Sequence, residues 1–187
     1  RAAGVTAGSR VAVIGDGAVG LCAVLAAKRL GAERITIFSR HADRTAIARQ
    51  FGATDVIPER GKDAVVRAKD ETGGLGFHHV IEAVGTTQSW KTSLGIARPG
   101  GTVGFVGVPH GASEGIPPWD LFSKNLTVRG GIAPVRAYIT ELLAEVLDGS
   151  LDPSPVFDTE LPLSQVAEGY ALMDERRAIK VLLRPDA

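Results

Sequence analysis

The sequence predicts an α/β protein built on a doubly wound, mostly parallel sheet. Short apolar runs alternate with helical patterns along most of the chain, and this alternation is typical of parallel strands joined by right-handed helical crossovers. Several runs are apolar at consecutive positions, as in strands that helices cover on both faces. Gly31, Gly52 and Gly149 each follow a periodic segment, where glycine commonly ends a helix.

Each apolar run between turn-forming residues is predicted as a strand, and each longer stretch with helical spacing as a helix. The predicted strands are Arg10–Ile14, Arg34–Phe38, Asp55–Ile57, His79–Glu82, Thr102–Val106 and Leu126–Arg129. The predicted helices are Ala18–Leu30, Ala42–Phe51, Lys62–Glu71, Gln88–Ile96, Pro118–Ser123 and Pro134–Asp148.

The pattern changes after about residue 134. An extended segment with Pro153 and Pro155 follows the last long helix, and proline disfavours both helix and regular strand there. A short amphipathic helix, Leu163–Met173, and a final strand, Ala178–Leu183, complete the tail. This tail does not resemble another β-α-β unit. We therefore expect residues 1–134 to form the sheet domain and residues 135–187 to complete a structure built elsewhere.

A glycine-rich turn follows the first predicted strand. The segment reads Gly15-Asp16-Gly17-Ala18-Val19-Gly20 and opens a long apolar helix. Strand, Gly-x-Gly-x-x-Gly and helix in this order are typical of a dinucleotide site in a Rossmann fold. Gly15 permits the tight turn, Gly17 lets the backbone approach a pyrophosphate, and Gly20 lets helix and strand pack closely. The free N–H groups of the first helical turn, which holds Ala18 and Val19, would face the phosphates.

The residues after the second predicted strand indicate which cofactor binds. Ser39 stands where an NAD site usually carries a carboxylate for the ribose, and Arg40 follows, with Arg44 about one helical turn later. A guanidinium grips a phosphate bidentately, so the segment favours NADP(H), with NAD still possible. Alternatively, both arginines are solvated charges at a helix start. Asp16 puts a carboxylate close to the phosphates, and the sequence leaves the direction of its side chain open.

Three further glycine-containing turns follow later strands. They contain Ala83 and Val84, Val106 and Val108, and Gly131 and Ala133. Ligands bind at the carboxyl ends of the strands in such sheets, so these turns are predicted to line a slot for adenosine and nicotinamide. Alternatively, each of these turns taken alone is an ordinary tight turn.

Composition excludes several classes of function. A formal net charge of zero argues against nucleic acid as a partner. No apolar run is long enough for a membrane span, and no secretory leader is visible, so we expect no membrane partner and a cytoplasmic location. The only cysteine, Cys22, excludes an internal disulfide and a multi-cysteine zinc site. The four histidines give no metal-binding pattern.

Several segments resemble the cofactor-binding half of the medium-chain, zinc-dependent alcohol dehydrogenases. They run in the family's order over nearly the whole chain: Val11–Gly20, Leu30–Ala32, Phe51–Asp55, Glu82–Gly85, Arg98–Gly101, Val106–Pro109 and Ile179–Leu183. The resemblance implies hydride transfer between an alcohol or carbonyl substrate and a nicotinamide cofactor.

The resemblance also implies roles for single residues. The three glycines of the first turn would hold the pyrophosphate, and Ser39 and Arg40 match the pair of NADP-preferring members. Val84 would line the adenosine pocket, while Val106, Gly131 and Ala133 would offer backbone groups to the carboxamide. Lys180 would reach the cofactor phosphates, unless it is a solvent-facing lysine on an edge strand. The family dimerises through the strand corresponding to Leu126–Gly130, so a homo-oligomer is expected.

In this family the catalytic zinc ligands and most of the substrate pocket precede the first strand of the Rossmann fold. The resemblance therefore implies that this chain binds cofactor, that zinc belongs to a catalytic domain not contained in it, and that it is inactive alone. Two alternatives stay open: a zinc-free quinone or enoyl reductase of the same superfamily, and a nucleotide-sensing module without catalysis.

Overall fold

A computed structural model describes residues 1–110, 115 and 117–185 of the chain. The chain divides into two compact units, Arg1–Ala133 and Pro134–Ala187. The strands of the first unit are β1 (Arg10–Ile14), β2 (Arg34–Phe38), β3 (Asp55–Ile57), β4 (Phe77–Glu82), β5 (Ala97–Phe105) and β6 (Thr127–Gly130). Its helices are α1 (Ala18–Arg29), α2 (Ala42–Gln50), α3 (Gly61–Glu71), α4 (Thr87–Ile96) and α5 (Pro118–Lys124).

All six strands of the first unit lie in one parallel sheet, in the order β3-β2-β1-β4-β5-β6. This confirms the predicted doubly wound α/β fold, and the strand order is that of a Rossmann fold. The carboxyl ends of parallel strands share one edge of the sheet. The turns after β1, β2, β4, β5 and β6 therefore lie along that edge, and the strand order reverses between β1 and β4.

The core lies between the sheet and its helices. Val11, Val13 and Val80 in the central strands have no exposed surface, and Leu21 and Val24 of α1 are equally buried. β1 reads Arg-Val-Ala-Val-Ile, and its last four residues are buried, as expected for a strand covered on both faces. Burial of these apolar side chains fixes the strand ends that carry the turns.

Two strands begin earlier than predicted. β4 begins at Phe77 rather than His79, and β5 at Ala97 rather than Thr102, with a register shift between Phe77 and His79. The predicted strand began only after the glycine pair Gly100-Gly101. Instead, a Cβ on Gly101 would lie 2.8 Å from the carbonyl oxygen of Arg98 and 3.2 Å from those of Phe77 and His78. Glycine here permits close backbone approach within β5 and towards β4 instead of ending the strand.

The second unit begins with α6 (Val135–Leu147) and continues with β7 (Thr159–Pro162), α7 (Val166–Asp174) and β8 (Val181–Arg184). β7 and β8 pair in parallel, so the prediction that the tail is not a β-α-β unit was wrong. The sequence analysis missed β7, which is only four residues long and ends at Pro162. Proline at the end of a strand removes only one donor from the ladder.

The predicted strand Ala178–Leu183 is shorter in the structure. Ala178 and Ile179 are buried, but the Ile179 N–H donates to both carboxylate oxygens of Asp158, at 3.0 and 2.9 Å. Side-chain acceptors thus replace a strand partner there, and β8 begins at Val181. The predicted helix Leu163–Met173 begins as a 3-10 turn, Leu163–Gln165, before α7.

Candidate functional site

The turn after β1 has the features of a phosphate cradle. Gly15 adopts φ +112°, and a Cβ there would lie 2.8 Å from Val84 Cγ2. A Cβ on Gly20 would press into the carbonyl oxygen of Gly15, whereas a Cβ on Gly17 would meet nothing within 4 Å. Gly15 and Gly20 are therefore required by the fold itself. The open space at Gly17 is where a ligand could approach the backbone.

The first turn of α1 leaves its backbone donors available. Gly17 is the N-cap residue, no side chain caps the helix, and no acidic side chain stands in the first turn. Ala18 and Val19 occupy that turn, and Val19 is 55% exposed. Uncapped N–H groups at the positive end of a 12-residue helix form an anion site. The residues present fit a dinucleotide pyrophosphate.

Asp16 connects the glycine turn to the residues after β2. Its Oδ2 accepts a hydrogen bond of 2.8 Å from Ser39 Oγ and lies 2.7 Å from His41 Nδ1. Its Oδ1 lies 3.6 Å from Arg44 Nη1. We call Asp16, Ser39, His41 and Arg44 the Asp16 cluster. The sequence left the direction of the Asp16 side chain open, and in the structure this side chain points towards the end of β2.

This cluster separates the two arginines that the sequence grouped together. Arg44, in the first turn of α2, is only 8% exposed and faces Asp16. Arg40 is exposed and forms no ion pair within the described residues. A cation at a helix N-terminus is unfavourable, and the Asp16 carboxylate offsets that cost for Arg44. Arg40 is thus the cation that faces solvent beside the candidate ribose position.

The same contacts set the ionisation of Asp16. Burial alone would raise its pKa, but the hydrogen bonds from His41 and Ser39 and the positive charges of His41 and Arg44 outweigh burial. The pKa of Asp16 therefore lies below its ordinary value. An acid whose pKa is lower in the folded state stabilises that state at pH above its unfolded pKa, about 3.9 for aspartate.

We expect the stabilisation by Asp16 to disappear in acid. It should be present above the unfolded pKa of about 3.9 and be lost as pH falls through the folded pKa. The measurement is the free energy of urea unfolding of the original chain and of Asp16→Asn between pH 7 and pH 3. The difference between the two should shrink below about pH 4. A difference that stays constant over this range would contradict the ionised cluster.

Glu82, the last residue of β4, connects two more turns. Its Oε1 accepts hydrogen bonds from the N–H groups of Val84 (2.9 Å) and Gly85 (2.7 Å). Its backbone carbonyl accepts from the N–H groups of Val106 (2.8 Å) and Gly107 (3.1 Å). The side chain is fully buried, and Oε2 has no hydrogen-bond partner among the described residues. One residue thus holds both turns.

These two turns contact each other directly. A Cβ on Gly107 would lie 2.6 Å from the backbone nitrogens of Gly85 and Val84, and one on Gly85 would press into the Val108 carbonyl oxygen. Ala83, Val84 and Val106 are half-buried, and Val108 is 78% exposed. The structure therefore brings the predicted residues after β4 and β5 together, beside Gly15.

The remaining predicted residues lie further along the chain. Gly131, with φ +135°, and Ala133 follow β6 and are exposed. Lys180 is exposed in the second unit, so its contact with the cofactor phosphates stays a prediction. Gly131 and Ala133 lie on the same edge of the sheet as the other turns.

All four histidines have contacts: His41 faces Asp16, His110 Nδ1 lies 2.7 Å from the Val108 carbonyl oxygen, and the two histidines of β4 contact backbone groups. His78 Nδ1 accepts from the Arg10 N–H at 3.1 Å, and His79 Nδ1 lies 2.7 Å from the Ala3 carbonyl oxygen. Burial lowers the pKa of both rings.

Within residues 1–110, 115 and 117–185, no group of three or more His, Cys, Asp or Glu side chains could hold a metal ion. No helix of the described chain has the length and apolar character of a membrane span.

The sequence analysis missed Glu82 as a residue of the site. The segment Glu82–Gly85 was predicted to matter for its glycine turn and not for its carboxylate. A signal was present, since Glu82 is the one carboxylate in the run Val80-Ile81-Glu82-Ala83-Val84. Burying a carboxylate is costly unless it is hydrogen-bonded, so an acid in a buried strand indicates a local partner.

Comparisons with known proteins agree with the fold and with the resemblance seen in the sequence. Residues 18–148 match the family model described as zinc-binding dehydrogenase. A probable zinc-binding alcohol dehydrogenase of Mycobacterium tuberculosis is 38% identical over 99% of this chain and 48% of its own length. An L-threonine 3-dehydrogenase of Bacillus licheniformis is 32% identical over 97% of this chain and 53% of its own length.

Solved structures show the same fold. An alcohol dehydrogenase from Thermus sp. ATN1 superposes with a TM-score of 0.88 at 38% identity, over 97% of this chain and 52% of that one. Zinc-dependent alcohol dehydrogenase 2 from Streptococcus pneumonia gives 0.89 at 26% identity, over 99% and 54%. The chain spans about half the length of the relatives it matches.

Proposed function

Because the chain belongs to the zinc-binding dehydrogenase family, we propose that it is the NADP(H)-binding part of an alcohol dehydrogenase-like oxidoreductase. The observation that carries the proposal is the uncapped glycine turn after β1, with its open space at Gly17. It lies at the edge of the sheet where the strand order reverses, which is where dinucleotides bind in such sheets.

Each turn of this edge has a place in the proposal. The backbone of the Gly15–Gly20 turn binds the pyrophosphate, and Val84 lines the adenosine pocket. The nicotinamide is bordered by Val106, Val108, Gly131 and Ala133. Glu82 holds the turns after β4 and β5 in place through its hydrogen bonds. The bound nicotinamide exchanges a hydride with an alcohol or carbonyl substrate. The chain's own residues bind and orient it.

We also propose that the catalytic zinc is bound by residues outside this sequence, since no cluster among the described residues fits a metal ion. In this proposal the chain alone binds cofactor without catalysing the reaction. The relatives named above are dehydrogenases, which favours a catalytic role for the whole protein over nucleotide sensing alone. An alcohol, aldehyde or ketone is the corresponding substrate class.

A homo-oligomer through Leu126–Gly130 belongs to the same proposal. β6 is an edge strand of the sheet, and α5, which leads into it, exposes Trp119 (70%) and Phe122 (77%). An unpaired edge strand beside large exposed apolar side chains favours pairing with the same strand of a second copy.

The preference for NADP(H) rests on Arg40 in this proposal. Arg40→Ala should weaken NADPH binding by about 10- to 100-fold, because a charge-assisted hydrogen bond to a phosphate contributes about 1.5–3 kcal/mol. NADH binding should change by less than about threefold, since NADH has no 2′-phosphate. Calorimetric titration of both cofactors measures the two affinities.

Arg49→Ala is the matched control, because Arg49 is an exposed arginine at the other end of α2. This control should bind both cofactors like the original chain. Equal losses of NADPH and NADH affinity in Arg40→Ala would refute the role of Arg40 in discrimination.

A further inference from the structure

The buried carboxylate inside the glycine turn has a consequence for cofactor choice. Asp16 is 7% exposed and stands between the two glycines that shape the turn. Its oxygens face Ser39 at 2.8 Å, His41 at 2.7 Å and Arg44 at 3.6 Å. A negative charge therefore lies within hydrogen-bond distance of the residue expected beside the ribose.

The cluster uses groups that would otherwise meet a phosphate. The hydroxyl proton of Ser39 is donated to Asp16, and Thr45 Oγ1 donates in turn to Ser39 Oγ at 3.0 Å. Arg44 is turned towards Asp16 and is buried. Of the groups after β2 that favour a phosphate, Arg40 alone lies outside the cluster.

We propose that Asp16 sets the degree of discrimination between the two cofactors, as an internal counter-charge that weakens the preference for NADP(H). This inference rests on the proposed function. A 2′-phosphate placed at Ser39 would lie close to the Asp16 carboxylate, and like charges at that range disfavour each other. NADH carries a hydroxyl there and avoids this repulsion. The site therefore accepts both cofactors more evenly than Ser39 and Arg40 alone would allow.

The test is the ratio of the NADH Kd to the NADPH Kd in two neutral variants, Asp16→Asn and Asp16→Ser. Both remove the charge but differ in size and hydrogen-bonding shape. If charge is the cause, the ratio should rise in both by about tenfold, the effect of one pKa unit of electrostatic interaction. Asp63→Asn, in the exposed first turn of α3, changes the net charge equally and should leave the ratio unchanged.

The possible results separate the two proposals. If the original chain binds neither cofactor, the proposed function fails. If it binds both and the ratio stays unchanged or falls in the folded Asp16 variants, the role of Asp16 fails while the cofactor site stands. A rise in only one of the two variants would assign the effect to shape rather than charge, and would also overturn the inference. Thermal unfolding of each variant establishes that it is folded.

Discussion

Gly17→Ala should lower the affinity for NADPH by about 100-fold or more, because a Cβ at this position stands where the pyrophosphate approaches the backbone. Folding should hardly change. The position has φ −77°, an ordinary backbone conformation for alanine, and a Cβ there would contact nothing within 4 Å. Alanine is a poorer N-cap than glycine, which costs about 1 kcal/mol at most.

Gly20→Ala is the matched comparison, because its Cβ would press into the Gly15 carbonyl oxygen. Its main effect should be on folding, with a loss of about 1–3 kcal/mol in the free energy of unfolding, as for other overpacked sites. Urea unfolding and calorimetric titration of both variants separate the two effects. A Gly17→Ala chain that binds NADPH with unchanged affinity would contradict a pyrophosphate at this turn.

Glu82→Leu should lower the free energy of unfolding by about 2–4 kcal/mol, because it leaves one buried and one half-buried N–H group facing Glu82 Oε1 without an acceptor. Those groups belong to Val84 and Gly85. Leucine is apolar and of similar length, so the lost acceptor and not a large cavity dominates the effect. Urea unfolding at neutral pH measures it.

Glu82→Gln is the control for this prediction, since its amide oxygen can still accept both hydrogen bonds. It should lose less than half as much stability as Glu82→Leu. Equal losses in the two variants would show that the carboxylate shape, and not the acceptor at Oε1, holds the turn. A Glu82→Leu chain with unchanged stability would show that Glu82 does not hold the turns after β4 and β5 together.

Short-range sequence patterns were sufficient to predict the strands of the sheet and the glycine turn after β1. The run Val11–Gly20 carries its own strand, turn and helix signals, and the predicted bounds of β1, β2 and β3 agree with the structure. Glycine positions are informative because close backbone approach excludes a Cβ, as at Gly20. The parallel direction of the strands also follows from a general rule for alternating β-α units.

Side-chain partners were harder to predict. Nothing in the segment Ser39-Arg40-His41 shows that Asp16, more than twenty positions earlier, takes up the Ser39 hydroxyl and faces Arg44. That pairing depends on the register of β1 beside β2, which places the two turns side by side. Short strands such as β7 were missed because four residues ending in proline give too weak a pattern.

The most direct measurement of the central claim is calorimetric titration of the purified chain with NADPH and with NADH. The account predicts saturable binding of both cofactors at one site, with NADPH the tighter ligand because Arg40 is exposed and unpaired within the described chain. Absence of binding by either cofactor would contradict the assignment of the β1 turn, and tighter binding of NADH would contradict the preference for NADP(H).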